Sequence, residues 1–320
     1  AATTTAATGL NHWDNALNWS AGTVPANDET VEFRDSAVSV LYGLPNATLE
    51  VTFNVYQSYT GHIGLHVVNN DNPSMQYLEY RQRYVRLDDA GIGTNIAHRF
   101  GIGATGTGSP LINLRHATLK CTPLVYNTGT PQVSGTKALN IALTAATSEL
   151  TVLKGSVDCG MQDSVTPLLN VLRVGYSGAQ TSDVEVRAFR CNSSGAVVTQ
   201  SGGYLLIGDA PPFALSCYGG VCRIEEQTST LATMMVQGLG VVQYASTGTI
   251  GALTIGYTGG TFDANFDLRG FTITAAYIYS GVFRDTYRRV TNTTSFNIYA
   301  NPKDIVLDLG QPVNMPITYI

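Results

Sequence analysis

Carboxylates are the first side chains to weigh for chemistry. Asp88/Asp89, Asp158, Asp183, Glu225/Glu226 and Asp263/Asp267 could serve as general acid, base or nucleophile on a glycosidic bond. That chemistry needs two or three carboxyl groups converging on one groove. Asp158 and Asp183 fall on adjacent repeats of the chain but on different strands, and Glu225/Glu226 stand one repeat from Asp263. Nothing in the spacing gathers them, so they read as solvating an outer face, and the chain reads as a non-enzyme. His62 and His66 in G-H-I-G-L-H are four apart, a metal-binding spacing on a helix. Their Gly-containing, strand-rich context makes them packed or exposed histidines instead.

The cysteines are the most regular feature. Cys121, Cys159 and Cys191 hold one place in three consecutive repeats, with Cys222 near it in the next. The expectation is a stacked ladder of small buried thiols, where Cys acts as a compact apolar residue. A Cys217–Cys222 disulfide in C-Y-G-G-V-C is the alternative. A metal site is disfavoured, because stacked positions on parallel strands do not make a tetrahedron and no His sits nearby. There is no nucleophile elbow, Walker loop or dinucleotide fingerprint, and G-A-T-G-T-G-S (103–109) leads into a strand rather than a helix. No cofactor and no metal are expected. Net charge is −5 with scattered basic residues, which argues against a nucleic-acid partner. Arg81/Arg83/Arg86 and Arg284/Arg288/Arg289 read as strand-surface pairs. No run of 18 uninterrupted apolar residues occurs, so no membrane span is expected. The small residue at position 1 and the missing n- and h-regions fit cytosolic synthesis.

The elements that would position these groups are strands. Of 320 residues, 44% are hydrophobic and only 13% charged, about half the usual charged share. Thr, Val, Tyr and Ile are frequent and Gly reaches 33, which points to an all-β chain. The segment Leu172–Val186 shows the unit: period-2 alternation at Leu172/Val174, a Gly/Ser turn, and alternation again at Val184/Val186. Strands entering such a turn end at Ile102, Leu143, Val174, Ile207 and Tyr244, and strands leaving it end at Leu114, Val152, Val186, Cys217 and Ile255. A third strand ends at Cys121, Cys159, Cys191, Cys222 and Ala264. The spacing predicts turns of 31–41 residues with three strands each. The expected fold is a right-handed parallel β-helix, a solenoid of about eight rungs at roughly 4.8 Å spacing.

Both ends break the repeat. Residues 1–30 read as an N-terminal arm and cap, 31–300 as the β-helix and 301–320 as a C-terminal tail. Trp13 and Trp19, the only tryptophans, read as a plug over the open first edge. Pro312 and Pro316 disfavour a continuing ladder, so the tail is expected on a neighbouring surface.

The run N-W-S-A-G-T-V-P-A-N-D-E-T-V-E-F resembles the N-terminal lead-in of bacterial and phage β-helix proteins, including autotransporter-type passengers. Together with Q-S-Y-T-G-H-I-G-L, Y-L-E-Y-R-Q-R-Y-V-R-L and L-T-I-G-Y-T-G-G-T-F-D, it is similar to a family of uncharacterised tailed-phage and bacterial proteins. The resemblance runs from about residue 12 to residue 310 and leaves out the cysteines and the tail from Gln311. It implies a phage structural protein on the head surface and supplies no catalytic residues. The expected role is a capsid decoration or cement protein, homotrimeric and docked on the major capsid protein. Trp13, Trp19, Pro312, Met315, Pro316, Tyr319 and Ile320 are the expected contact residues. The alternative is a tailspike or other surface protein that binds host-surface glycan, using Tyr176, Tyr204, Tyr218, Tyr257, Tyr277 and Tyr279.

Overall fold

The computed structural model describes residues 11–44, 50–64, 85–87, 97–103, 112–116, 122–128, 138–143, 147–159, 169–191, 194–225, 229–292, 294–299, 301–310 and 317–320. They form two compact units, Ala1–Leu168 and Leu169–Ile320. Each is a parallel β-solenoid, and the described strands stack in about nine turns where eight were expected.

In the first unit one ladder joins β1 (Glu29–Phe33), β2 (Val51–Tyr56), β4 (Arg99–Ile102), β6 (Leu124–Val125) and β8 (Glu149–Val152). A second joins β3 (Val85–Leu87), β5 (Ile112–His116), β7 (Leu139–Leu143) and β9 (Gly155–Cys159). The second unit repeats the plan. Its first ladder runs through β10 (Val171–Val174), β12 (Val197–Gln200), the first halves of β14 (Ala214–Glu225) and β15 (Leu231–Ala245), then β16 (Ile250–Ile255), β18 (Phe271–Ile278), β21 (Ser295–Ile298) and β23 (Ile317–Tyr319). Its second ladder runs through β11 (Val184–Arg190), β13 (Tyr204–Ala210), the second halves of β14 and β15, then β17 (Thr261–Asp263), β19 (Gly281–Asp285) and β22 (Ile305–Leu309). β20 (Val290–Asn292) adds a short pairing to the start of β18.

A turn of the second unit therefore carries two strands, not three. Val174, Gln200, Cys217, Val236, Ile255, Ile278 and Ile298 lie in register, at steps of 26, 17, 19, 19, 23 and 20 residues. The expected 31–41-residue period took markers from alternating faces. Val174 belongs to the first ladder but Ile207 and Tyr244 to the second; Val186 belongs to the second but Cys217 and Ile255 to the first. Both ladders alternate with period 2 and both turn at glycine, so the pattern carries no face label. The cysteine alignment fails at Cys222. Cys222 stacks between Leu205 and Val242, whereas Cys191 bridges Leu169.

The corner between the ladders needs glycine for a steric reason. Gly175 and Gly220 hold φ at +73° and +76°. A Cβ on Gly175 would strike the backbone of Gly202, and one on Gly220 that of Gly203. Left-handed backbone and tight turn-on-turn contact both exclude a side chain there. The corner reading of Gly175 and Gly178 holds, and Leu172–Val186 spans both sides of one turn.

The ladder does not stop at residue 300. β22 pairs with β19, and Ile317–Tyr319 pairs with β21 directly after Pro316. Proline removes a donor only where it sits, so pairing resumes once the chain has non-proline residues in register.

Arg289, expected on a strand surface, is instead 1% exposed. Its guanidinium donates to the carbonyls of Arg269 (2.7 Å), Ala264 (2.7 Å), Ser246 (2.8 Å) and Tyr244, and lies 5.0 Å from the centre of the Phe271 ring. The Asp285 carboxylate, also buried, accepts from the amides of Arg289 (2.7 Å) and Val290 (3.0 Å). One cation thus ties carbonyls of successive turns together. Arg289→Met keeps the volume and orphans four acceptors, so unfolding free energy in urea should fall by about 3–5 kcal/mol. A fall below about 1 kcal/mol, the worth of a single ordinary hydrogen bond, would mean these turns do not depend on it.

Candidate interaction surface

Asp183, Asp263, Asp267 and Glu225 each have local partners. Asp183 accepts from the Gln180 amide (3.0 Å) at a corner. Asp263 accepts from the Asn265 amide (2.9 Å) and meets Arg284 at 3.5 Å. Asp267 is gripped by Arg269, whose side chain first, and backbone amide next, hold its carboxyl well below the usual range. Glu225 pairs with Arg223. Asp88, Asp89 and Glu226 lie outside the described residues, as do His66, Arg81, Arg83, Cys121 and most of 103–109. Among the described residues no three His, Cys, Asp or Glu side chains gather as a metal set, and no helix is long and apolar enough to cross a membrane. His62 is half-buried, its amide donating to Ser39 (2.9 Å), and partial burial lowers its pKa.

Trp13 and Trp19 form the plug. Trp13 is 2% exposed, 4.8 Å from Trp19 and 5.9 Å from Phe53 between ring centres, and its carbonyl accepts from the Trp19 indole N–H (2.7 Å). Trp19 is half-buried over Phe33 at 6.1 Å. Trp13 is therefore spent on the first turns of its own chain, leaving almost no surface for another. Pro312, Met315 and Pro316 lie outside the described residues. Tyr319 and Ile320 are 64% and 69% exposed. Tyr319 continues the buried row through Ile278 and Ile298, and Ile317 continues the row through Ala276 and Phe296. Tyr319 thus stands exposed at a position whose in-register equivalents, Ile278 and Ile298, are buried.

The outward positions sort by charge. On the second ladder of the second unit one outward row reads Arg187, Leu206, Arg223, Gln243, Asp263, Arg284 and Asp308, and the row beside it, Glu185, Tyr204, Val221, Val241, Thr261, Val282 and Val306, holds a single charge. On the first ladder, from β12 onward, one row reads Val197, Ala214, Thr233, Ala252, Ala275 and Ser295. The row beside it reads Thr199, Ser216, Met235, Thr254, Tyr277, Asn297 and Thr318. Neither row holds a charge.

A tyrosine row flanks this face at the corner. Tyr257 and Tyr279 lie 4.3 Å apart between ring centres, and Tyr279 and Tyr299 stack at 4.9 Å with 14° between planes. Of the tyrosines weighed for glycan contact, only Tyr257 and Tyr279 are brought together. Tyr277 faces outward on the first ladder and Tyr204 on the second. Tyr299 was missed, although one signal marks it: an aromatic directly after, or one Gly after, the last inward Ile of a turn, as in Ile255-Gly256-Tyr257, Ile278-Tyr279 and Ile298-Tyr299.

Comparison of the chain with protein families, with curated proteins and with solved structures found no match.

Cys159, Cys191, Cys217 and Cys222 are all buried free thiols, so Cys217 and Cys222 are not bridged. Burial pushes the thiols of Cys191 and Cys217 up to about 12 and that of Cys222 well above its ordinary value. A raised thiol pKa favours the neutral form in the folded state, so its stabilisation is complete below about pH 9 and is lost as pH climbs toward about 12. A thiol reagent at about pH 8 should leave these four unlabelled in the native chain and label them in denaturant, because the thiolate is the reactive form. Mass spectrometry locates the label. Native labelling of Cys217 or Cys222 would contradict the buried placement.

Proposed function

We propose that the protein is a virion structural protein, a capsid decoration or cement protein of a tailed phage. In this reading it is made in the host cytoplasm and sits on the head through contacts with the major capsid protein. The observation that carries the proposal is the exposed apolar surface along β22 and β23. Tyr319, Ile320 and Val306 expose apolar surface there, and among the described residues β22 and β23 each pair with only one strand. Exposed apolar side chains on regular strands suit docking by apolar burial. The resemblance to tailed-phage β-helix proteins supports the same role. Tyr319→Asp with Ile320→Asp should reduce occupancy on purified heads on the order of tenfold, the effect of about 1.4 kcal/mol of lost contact. Mass spectrometry of separated heads and tails should find the protein in the head fraction. Recovery with tails alone, or full head occupancy by the double variant, would defeat the reading.

The tyrosine row favours a second reading, a spike-type protein that binds host-surface glycan. Tyr257 is 77% exposed and presents an aromatic face and a hydroxyl to solvent. Wild-type binding on a glycan array that Tyr257→Ala abolishes would support it. An array with no wild-type signal would remove it.

A further inference from the structure

We infer that the uncharged outward face of the first ladder of the second unit, from β12 to β23, seats a second copy of this chain. The face does not depend on the head-docking role. It stands on the partition of charge between two sheets of one solenoid.

On the second ladder one outward row, through Arg223, Asp263 and Arg284, provides the solvation that an exposed sheet ordinarily carries, beside an uncharged row from Tyr204 to Val306; on the first ladder from β12 onward both rows lack charge. On the first ladder the equivalent positions are small or uncharged, with Ala252 and Ala275 giving a flat floor and Met235 and Tyr277 rising beside them. Absence of charge at the centre, with Met and aromatics present, is the composition of a protein–protein interface core. A sheet left open to water has no physical need for it.

The occupant follows from charge and area. A symmetric contact brings each residue against its own kind or a near neighbour, so any charge at the centre would meet a like charge. A face without charge meets itself at no such cost. Nucleic acid would require cations that the face lacks. Strands β12, β14, β15, β16, β18, β21 and β23 at about 4.8 Å spacing, each about five residues long at roughly 3.3 Å, span ~550 Å². Two such faces bury ~1,100 Å², which reaches the ~1,000 Å² a specific interface needs. The pairing stays in register from Ala214 to Ser295, so the surface is regular over that span.

The test is the oligomeric state of the purified chain by light scattering and sedimentation. At ~50 μM, above the micromolar Kd of a modest interface, wild type should be a dimer or higher homo-oligomer. Thr254→Glu with Ala275→Glu should raise the dissociation constant at least on the order of tenfold, whereas Gln243→Glu on the second ladder should leave it unchanged. Circular dichroism and the thermal transition report whether each variant folds. A separate measurement covers a misfolded double variant: Thr254→Cys should yield intermolecular cross-links with a short bismaleimide, and Gln243→Cys should not. A monomeric wild type at that concentration overturns the inference. So does an oligomer that survives the folded double variant, or equal cross-linking at both positions. A monomer that still occupies heads would remove this inference and leave the docking role standing.

Discussion

In-register parallel pairing between successive turns is the constraint from which the rest of the structure follows. Each strand finds its backbone partners one turn above and one turn below, at the ladder spacing of about 4.8 Å. Side chains therefore stack on their equivalents, and the nearest core neighbour of Val236 is Cys217 on one side and Ile255 on the other. The interior becomes a set of rows, and each row must stay apolar or bring its own hydrogen-bond partner. Gln200 is the test case. It occupies an inward position between Val174 and Cys217, fully buried, and its amide donates to the carbonyls of Gly203 and Val221, both at 3.0 Å. A buried amide costs little when its donors are used, and these bonds hold the neighbouring corner to the core.

Register in the ladders leaves freedom at the corners. The chain takes 26 residues from Val174 to Gln200 and only 17 from Gln200 to Cys217, yet both pairs are in register. The difference is absorbed between strands, where extra residues cost only loop-closure entropy. The exception is the point where backbones of adjacent turns nearly touch. There Gly203 and Gly220 are forced, because a Cβ on Gly220 would collide with the backbone of Gly203. Corners are thus the places where this fold can vary its surface, and the tyrosine row sits on one of them.

How much could be read beforehand divides along the same line. The all-β class, the parallel solenoid and the aromatic plug rest on local signals: period-2 alternation, recurrent glycine and two adjacent tryptophans. Period length rests on knowing which face a strand belongs to, and a short inward–outward alternation looks the same on either. Arg289 was misread because its partners are backbone carbonyls of residues 20 to 45 positions away. No residue type announces an acceptor that every residue possesses. Tyr319 was expected on an extended tail, whereas it pairs in register with Ile298 of β21.

The low charge of the chain gains a geometric explanation once the ladders are separated. In a two-sided turn, inward positions of both strands must be apolar, and solvent-facing positions of both would normally carry charge. Here the first ladder carries one outward charge, Arg173 on β10, and none from β12 onward, while the second ladder carries Arg187, Arg223, Asp263, Arg284 and Asp308 in one row. The first ladder offers Ala, Ser, Thr, Met, Tyr and Asn at the corresponding places. A charged fraction of 13% is therefore not spread thinly over a uniform surface in the second unit; it is withheld from the first ladder from β12 onward. Hydrophobic burial explains why inner rows exclude charge, but it says nothing about an outer row. A face whose two outer rows both exclude charge over successive turns answers to something outside the fold, since in-register pairing would be satisfied equally well with Lys or Glu at those positions. That separates the two kinds of regularity in this chain: the inner rows report how it folds, and the outer rows of the first ladder report what it meets.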